Sequence, residues 1–536
     1  MSPSAVTGLF VPPTVFPSRH VPRPSSLRRS QHAATPFRRI RASLSAASFD
    51  ANSVSSAPST FPTVTRPPAS APAPAPATPI PARALYDVAV IGAGPAGLSL
   101  SAALCHHGLN VVNLDATIEA PWPNHYGVWR DEFQAVGLDD CATAIYPATA
   151  VYAGPEKITL DRQYLRVDRV KLKSLLLRRC VEGGVRLCRA VVRDVLHTSD
   201  SESEVRFGPA GPASHAEIME NSFCDFEDVL DEGMLRAKLV VDCTGHALRF
   251  TATEPEKKFR PPWAQAAYGI EAEVESHPYQ ADQMLLMDFR DDHMQGNEKW
   301  RKESEARPTF LYVFPSGERR AFFEETSVIA PKAVPFEELK ERLFRRLEHD
   351  GVKVKRILEE EKSLIPMGGS LPNRAQRVVG FGGAACLVHP ATGYMVARTV
   401  SMAGTVAETI ANGLKDNSDG FKAMAVSNAV WKVTWSLELR RQRDFLDFGA
   451  ELLGVLDMDE SRRFFDAFFA LPQSMWSKFL CFKLDTPVER IYFALYFFVI
   501  ATGPIRWSLL RGIFEIGRWR LIRSVLPLWL SAADEN

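Results

Sequence analysis

The amino-acid sequence predicts an α/β fold in three parts. A strand, a glycine-rich turn, a helix and a second strand follow one another from residue 85. Apolar residues at period two then fill much of 261–359, and helical patterns dominate 421–536. We therefore predict a discontinuous dinucleotide-binding domain of residues 85–260 and 360–420. An antiparallel sheet of residues 261–359 is inserted into it, and a helical C-terminal region follows at 421–536.

Residues 1–84 differ in composition from the rest of the chain. They hold nine arginines and one acidic residue, a balance of +8, so the remainder carries 54 − 62 = −8. They also contain 16 of the 38 prolines, which argues against a packed fold. Arginine-rich, serine-rich and acid-poor composition is typical of an organelle transit peptide with a linker, a plain disordered tail being the alternative. Because the positive excess is concentrated in this segment, we expect no nucleic-acid partner.

Cysteine spacing and hydropathy argue against further classes. The eight cysteines are scattered and form no CxxC pair, which favours a reducing compartment and predicts neither a disulfide framework nor a metal site. The longest notable apolar run, residues 491–505, is shorter than the roughly 20 residues that a membrane-spanning helix needs.

The first element of the folded part carries a nucleotide-binding motif. A β-rich run at 86–91 precedes the sequence Gly92-Ala93-Gly94-Pro95-Ala96-Gly97, and a helical pattern then runs to a stop at Gly108. Gly92 permits the tight turn, Gly94 lets a pyrophosphate approach and Gly97 allows close helix packing. The second strand, 109–114, ends in Asp115, whose carboxylate is placed to accept hydrogen bonds from ribose hydroxyls. This unit predicts a Rossmann-type domain for FAD or NAD.

Two later segments favour FAD. The strand and turn of residues 237–245, which include Asp242 and Gly245, resemble the segment that returns the chain to the cofactor in flavin hydroxylases. Residues 377–395 resemble the element that brings a strand and a helix N-terminus to the flavin ring, and an aspartate usually stands there where this chain has Gly383. The residues assigned to the cofactor in this second element are Gly382, Gly383, Pro390, Gly393 and Tyr394.

The inserted segment is predicted to be the substrate platform. Alternating patterns at 268–274 and 284–289 indicate strands, and residues 310–314 and 321–323 indicate a hairpin that turns at 315–317. The acidic stretch 200–232 is predicted to be an exposed loop.

Longer strings in the chain resemble a known family, the plant and algal lycopene cyclases. The family's version of the first string reads Asn-Tyr-Gly-Val-Trp, where this chain has His125-Tyr126-Gly127-Val128-Trp129. The resemblance continues at 322–326, 365–369, 389–398 and 462–469, and covers nearly everything after residue 85. It implies an enzyme that closes rings on lycopene in a plastid. It also implies that reduced FAD is required without net oxidation, with NAD(P)H as the electron source for the flavin, and that other carotenoid enzymes are possible partners.

The resemblance implies a carbocation reaction that starts from an acid. A proton adds to the terminal double bond, the neighbouring double bond attacks the resulting cation, and loss of another proton fixes the product. Glu324, the first acid of the Glu-Glu-Thr string, is the expected acid, and two adjacent carboxyls near apolar surface tend to raise one pKa. Glu325 is assigned to the catalytic pair as well. It either orients Glu324 or points to the opposite face, because neighbours on a strand alternate.

Aromatic and basic residues complete the predicted site. Phe322, Phe323, Tyr126 and Trp129 are candidates to stabilise the cation through their ring faces, with core packing as the alternative. Arg398 and His389 lie near the expected flavin element, where a cation would favour the reduced anionic form. The aromatic and arginine-rich segments after residue 431 predict helices that either lie on a membrane surface or pack on the flavin domain.

Two questions remain open at the level of sequence. A β-type ring is favoured by residues 365–369, 393–399 and 462–469, whereas an ε-type ring is favoured by 370–373 and Met475-Trp476. We predict the β-type ring. The rival functions are a flavin hydroxylase or prenyl reductase on the same fold, and a lipid-binding escort without chemistry. A redox enzyme would consume NAD(P)H in step with product, and the intact glycine motif and acid pair speak against an escort.

Overall fold

The structure is a computed structural model that describes residues 84–210, 232–253, 262–416 and 422–526. The predicted transit peptide, up to residue 83, lies outside the described residues. So does most of the predicted loop 200–232, whose residues 211–231 are not described. All the described residues belong to one compact unit.

Seventeen strands are found in the described part of the chain. In chain order they are β1 (Leu85–Ile91), β2 (Val111–Asp115), β3 (Gly127–Trp129), β4 (Ala142–Tyr146), β5 (Ala148–Tyr152), β6 (Ile158–Leu160), β7 (Tyr164–Val167), β8 (Arg186–Arg189), β9 (Val191–Ser199), β10 (Glu202–Gly208), β11 (Gly233–Asp242), β12 (Trp263–Val274), β13 (Gln283–Asp288), β14 (Thr309–Pro315), β15 (Arg320–Ser327), β16 (Val354–Met367) and β17 (Val378–Gly380).

The α-helices of the same residues are concentrated after the last strand. In chain order they are α1 (Pro95–His106), α2 (Arg130–Gln134), α3 (Arg169–Glu182), α4 (Glu298–Ala306), α5 (Phe336–His349), α6 (Val396–Asp416), α7 (Ala423–Thr434), α8 (Leu437–Leu453), α9 (Met458–Phe469), α10 (Gln473–Leu480), α11 (Pro487–Ile500), α12 (Gly503–Gly512) and α13 (Arg518–Val525).

The first sheet contains the dinucleotide-binding unit. Its strands lie in the order β8-β2-β1-β11-β10-β9, and β17 pairs with the C-terminal half of β11. The strands β8, β2, β1, β11 and β17 are parallel to one another, whereas β10 and β9 are antiparallel additions. Residues 88–91 of β1 are all buried, which is typical of a parallel strand covered on both faces. The predicted α/β class is confirmed.

The second sheet carries the predicted substrate platform. Its order is β16-β12-β15-β14-β13-β5-β6, and its pairs are antiparallel except for β13 with β5. The hairpin predicted around residues 315–317 is present as β14 and β15. The sheet extends beyond the predicted segment, because β5 and β6 come from the first part of the chain. In addition, β16 runs through the predicted limit at 359/360 while pairing with β12 on both sides of it.

The two faces of the second sheet have different roles. Helix α5 covers one face, where Ile270 and Phe323 pack in a core with Leu339 and Leu343. Because successive side chains on a strand point to opposite faces, the alternate residues of β12, β14, β15 and β16 face away from α5. A third sheet, in the order β3-β7-β4, lies beside this second face and contributes Trp129 and Tyr164 to it.

The C-terminal helices are held together by buried arginines as well as by aromatic packing. The Arg490 guanidinium is fully buried and donates to the carbonyl oxygens of Ser524 at 2.8 Å and Leu484 at 2.7 Å, and it also pairs with Glu438. On the inner side, Phe464 and Phe468 of α9 pack against Phe493 and Phe497 of α11. Among the described helices, none is both long and apolar enough to cross a bilayer.

Candidate functional site

A cavity of about 560 Å³ lies on the face of the second sheet opposite α5. Strands β12, β14, β15 and β16 form its floor, α9 and α10 form one wall, and residues 391–396 close another side. Its lining is dominated by aromatic and aliphatic side chains, with two carboxyl groups among them, those of Glu324 and Glu361.

Glu324 lines this cavity, as predicted for the acid. Its carboxyl oxygen Oε1 accepts a hydrogen bond of 2.7 Å from the Thr326 hydroxyl. Burial, followed by the negative charge of Glu361, raises the pKa of Glu324 to about 8. Near neutral pH, Glu324 therefore holds a proton inside an apolar cavity. The carboxylate that raises this pKa is thus Glu361, on another strand, rather than the adjacent Glu325 of the prediction.

Glu325 points to the other face of the sheet, so its assignment to the catalytic pair is corrected. It is completely buried there, and its two oxygens accept hydrogen bonds of 2.9 Å each from the Arg346 guanidinium of α5. The Thr309 hydroxyl donates a further hydrogen bond to it at 2.6 Å. Strand alternation explains the difference, and the contacts give Glu325 a structural role between β15 and α5.

Glu361 is the second carboxyl group of the cavity, and it is not among the residues predicted from the sequence. Four donors contact its oxygens: the amide of Asn124 at 3.0 Å, the hydroxyl of Ser363 at 2.6 Å, the backbone N–H of His125 at 3.0 Å and Nδ1 of the same histidine at 2.8 Å. The hydrogen bonds from His125 and Ser363 outweigh the effect of burial and lower the pKa of Glu361. Residues 359–361 are three consecutive glutamates, and only the register of β16 shows which of them faces inwards.

The aromatic residues predicted to stabilise a cation are divided between the two faces. Tyr126, Trp129 and Phe322 line the cavity. Phe323 does not, because it packs on the α5 side with its ring centroid 5.9 Å from that of Tyr279, so its assignment is corrected.

Further aromatic residues of the lining were not predicted to be part of the site. Tyr164 and Tyr312 lie beside Gly127, where a Cβ atom would overlap the Tyr164 ring and the Tyr312 hydroxyl. Burial raises the pKa of Tyr164 and of Tyr312, so both phenols stay neutral. The wall from α9 and α10 adds the rings of Phe464, Phe465, Phe468, Phe469 and Phe479.

The glycine-rich turn has the predicted geometry. Gly92 has a φ of +110°, a conformation that L side chains rarely adopt, and a Cβ atom on Gly97 would collide with the carbonyl oxygen of Gly92. A Cβ atom on Gly94 would meet nothing within 4 Å, so open space lies where the motif requires a pyrophosphate. Helix α1 begins with Pro95 and Ala96, and Gly94 is its N-cap. The cradle therefore fits a dinucleotide.

The two aspartates predicted for the cofactor are placed differently. Asp115 ends β2 beside the glycine turn, and its Oδ2 accepts the Ala93 N–H at 2.8 Å. Asp242 is fully buried, and its two oxygens accept five hydrogen bonds from Thr244, Phe250 and Thr251. Asp242 is thus hydrogen-bonded by its own loop, which also contains Gly245, and its contact with the cofactor stays a prediction.

The second flavin element also converges on this end of the sheet. Gly382 and Gly393 have φ values of +67° and +71°, and a Cβ atom on Gly383 would lie 3.0 Å from Gly245. An aspartate, which the resemblance led us to expect at position 383, would not fit without a backbone shift. Pro390 is buried beside this turn.

Tyr394 reaches the cavity at the end of this element. Its hydroxyl donates to Glu132 at 2.7 Å and accepts the Trp129 N–H at 3.2 Å. It therefore links the flavin element to the string that contains Trp129.

The two basic residues expected near the flavin differ in charge. His389 is neutral: its Nδ1 accepts the Ala391 N–H at 3.1 Å, so Nε2 donates to the Phe479 carbonyl at 2.8 Å, and burial lowers its pKa to about 3. The expectation of a cation at His389 is therefore corrected. Arg398 stacks on Phe482 at 3.6 Å and donates to the Leu387 carbonyl at 3.2 Å. Burial and the nearby Arg443 lower its pKa to about 9, which leaves it charged at neutral pH.

Comparison with known proteins places the chain among carotenoid enzymes. A family model described as "Lycopene cyclase protein" matches residues 87–506. "Lycopene beta cyclase, chloroplastic" of Nicotiana tabacum is 41% identical over 423 residues, which cover 79% of each chain. "Capsanthin/capsorubin synthase, chromoplastic" of Citrus sinensis is 41% identical over 406 residues, 75% of each chain.

Solved structures share the fold at low identity. A geranylgeranyl bacteriochlorophyll reductase-like protein of Thermoplasma acidophilum has a TM-score of 0.56 at 15% identity, and the match covers 81% of this chain and 98% of that one. A variant of the halogenase PltM in complex with FAD has a TM-score of 0.50 at 13% identity, covering 82% and 94%.

Proposed function

The chain belongs to the lycopene cyclase family, and from this premise we propose that it closes the open ends of lycopene into β-ionone rings, giving γ-carotene and β-carotene. The observation that carries the proposal is Glu324, a protonated carboxyl group inside an aromatic cavity. A polyene has no basic atom, so only an acid held against a double bond in a dry site can start the reaction. The β-type ring follows from the names of similar proteins such as the tobacco relative.

Different side chains of the cavity have different roles in the proposed carbocation reaction. Glu324 donates its proton to the terminal double bond. Phe322, Tyr126 and Trp129 line the cavity, and each ring face that meets the cation would contribute about 1–2 kcal/mol when desolvated. The neutral phenols and rings of the wall offer no strong nucleophile that would trap the cation, and they exclude water.

The flavin site is proposed from the fit of the glycine turn. Gly92, Gly94, Pro95, Ala96 and Gly97 would hold the pyrophosphate at the start of α1. In the same way, Asp115 would contact the ribose. The flavin ring system would be approached by the turns at Gly245, Gly382, Gly383, Pro390 and Gly393. When bound in its reduced form, FAD would supply negative charge that stabilises a cationic intermediate. NAD(P)H is proposed only as the electron source that keeps the flavin reduced.

Contact with a membrane is proposed from the C-terminal helices. Apolar side chains project into solvent from α11, α12 and the segment that follows, among them Trp507 at 69% exposure, Phe514 at 78% and Trp519 at 64%. Arginines such as Arg511 lie between them, which is the pattern of an interfacial helix. Because lycopene is wholly apolar, we propose that this surface rests on a plastid membrane. The composition of residues 1–84 and the chloroplastic relatives support the plastid, where other carotenoid enzymes are possible partners.

Anaerobic incubation of the purified protein with lycopene liposomes and reduced FAD tests the function. Carotenes of unchanged mass with β rings are expected, without stoichiometric loss of NADPH. A product that gains oxygen or hydrogen would instead identify a flavin hydroxylase or a prenyl reductase. An isomeric product with ε rings would refute the β assignment alone.

A further inference from the structure

Glu361 occupies a special position relative to Glu324. Gly269 on β12 is paired with Glu324 on β15 in one direction and with Glu361 on β16 in the other. The two carboxyl groups thus flank one residue and face the same side of the sheet, with backbones about 10 Å apart, or two strand spacings. Gly269 has no side chain of its own, and the Phe322 ring lies over it, where a Cβ atom would meet that ring at 2.6 Å. Both carboxyl groups line the cavity.

The surroundings of Glu361 keep it ionised and fixed. Its four donors come from Asn124, Ser363 and His125, and the His125 ring stacks on Phe322 with centroids 4.2 Å apart. A carboxylate held by so many donors is a poor nucleophile, so it resists forming an ester with a cation. A tertiary carbocation is a very strong acid, so even a weakly basic carboxylate can remove its proton.

We propose that Glu361 is the base of the reaction, and that its position beside Glu324 decides which carbon loses the proton. The inference rests on the proposed cyclisation. Protonation by Glu324 and the final deprotonation both take place on the same six-membered ring, so acid and base must reach neighbouring points of one substrate. Two carboxyl groups on the strands that flank Gly269, both lining one cavity, meet this requirement.

The proton balance closes over one turnover. The C–H bond at the ring junction breaks, its electron pair becomes the new ring double bond, and the proton goes to a Glu361 oxygen. Glu324 is then ionised and Glu361 is neutral, so before the next turnover Glu361 must release this proton and Glu324 must take one up. The route for release passes His125, whose Nε2 lies 3.4 Å from the half-exposed Glu359 carboxylate, and the Arg169 guanidinium contacts both groups.

His246 is the main rival base. Its side chain also lines the cavity, and burial lowers its pKa, so its imidazole is neutral and able to accept a proton. It follows Gly245 after the end of β11, in the turn that approaches Gly383. It therefore lies at the proposed flavin end of the cavity, and it is not on a strand that neighbours the strand of Glu324.

Product analysis of variants decides between the two residues. In Glu361→Gln we expect kcat to fall about 100-fold or more with little change in KM, the usual effect of removing a general base. The residual product should carry a larger share of rings with the double bond in another position. Glu361→Asp keeps a carboxylate and should recover part of the rate. If the glutamine variant does not fold, the aspartate variant carries the test, and it should be slower than wild type. Flavin absorbance and a melting curve report folding.

Two controls are matched to this experiment. Glu360→Gln alters the strand neighbour on the α5 face, which contacts Tyr268 and Lys340, and should leave rate and ring type unchanged. His246→Gln should leave the ring type unchanged. The inference is overturned if folded Glu361→Gln and Glu361→Asp both cyclise like wild type, or if His246→Gln alone changes the ring isomer. If wild type forms no cyclic carotene, the proposed function itself has failed.

Discussion

Glu324 and Glu361 are both register partners of Gly269, one on each neighbouring strand, and both face the apolar cavity. The two groups have opposite protonation states because their partners differ. Glu324 has a single hydroxyl donor, whereas Glu361 has four donors that favour its charge. One sheet therefore presents an acid and a carboxylate to the same substrate, which is the arrangement that separates acid and base roles in many enzymes.

Glu324→Gln should abolish most of the cyclisation. The amide keeps the shape of the side chain but has no acidic proton, so kcat should fall by a factor of about 10²–10⁴. Product formation from lycopene under anaerobic conditions measures the loss, and flavin titration should show normal cofactor binding. A Glu324→Gln variant that cyclises at the normal rate would refute the acid assignment.

The rate should also depend on the protonation of Glu324. Its pKa is raised to about 8, so the active acid form predominates below that pH and is lost above it. We therefore expect kcat to decline as the pH rises through about 8, with a slope of one proton. Rates measured between pH 6 and pH 10 in saturated lycopene liposomes test this, and a flat profile would contradict it.

Glu325→Gln should affect stability more than chemistry. Removing this charge leaves the buried Arg346 guanidinium unpaired, and breaking a buried pair typically costs about 3–5 kcal/mol. The urea midpoint of unfolding should fall accordingly, while kcat of the folded fraction stays near wild type. Glu298→Gln removes an exposed pair with Lys302 and should change the free energy of unfolding by less than about 1 kcal/mol.

The sequence was sufficient for elements whose signals are local. The glycine turn, β1, α1, β2 and the β14–β15 hairpin are all found where spacing and turn residues predict them. Glu361 could not be found in this way, because its role depends on pairing between β12 and β16, about 90 residues apart in the chain. Strand alternation did leave open that Glu325 faces away, but it could not supply Arg346 as its partner.

Two glycines of the nucleotide motif should respond differently to substitution by alanine. At Gly94 a Cβ atom meets only open space, so the apoprotein should keep its stability while the added methyl group blocks the pyrophosphate. At Gly97 a Cβ atom collides with the Gly92 carbonyl, so the protein itself should be destabilised. FAD titration by fluorescence and thermal melting without FAD measure the two effects. Equal melting temperatures for the two variants would refute this division.

The membrane surface can be tested without touching the cavity. In α11 the exposed residues Val488, Tyr492, Leu495 and Val499 lie on one helical face, and Trp507, Phe514 and Trp519 continue the apolar surface along the chain. Replacing Trp507, Phe514 and Trp519 by serine removes apolar area that is already exposed, so folding should be preserved. Flotation with vesicles of phosphatidylcholine and phosphatidylglycerol should drop several-fold, and cyclisation should drop only with vesicle-bound lycopene, not with lycopene in detergent micelles.

The control for this experiment is Ile357→Ser, which changes an exposed apolar residue of β16 outside this surface and should float like wild type. If the triple variant also floats like wild type, the helices have another purpose and lycopene reaches the cavity by a different route.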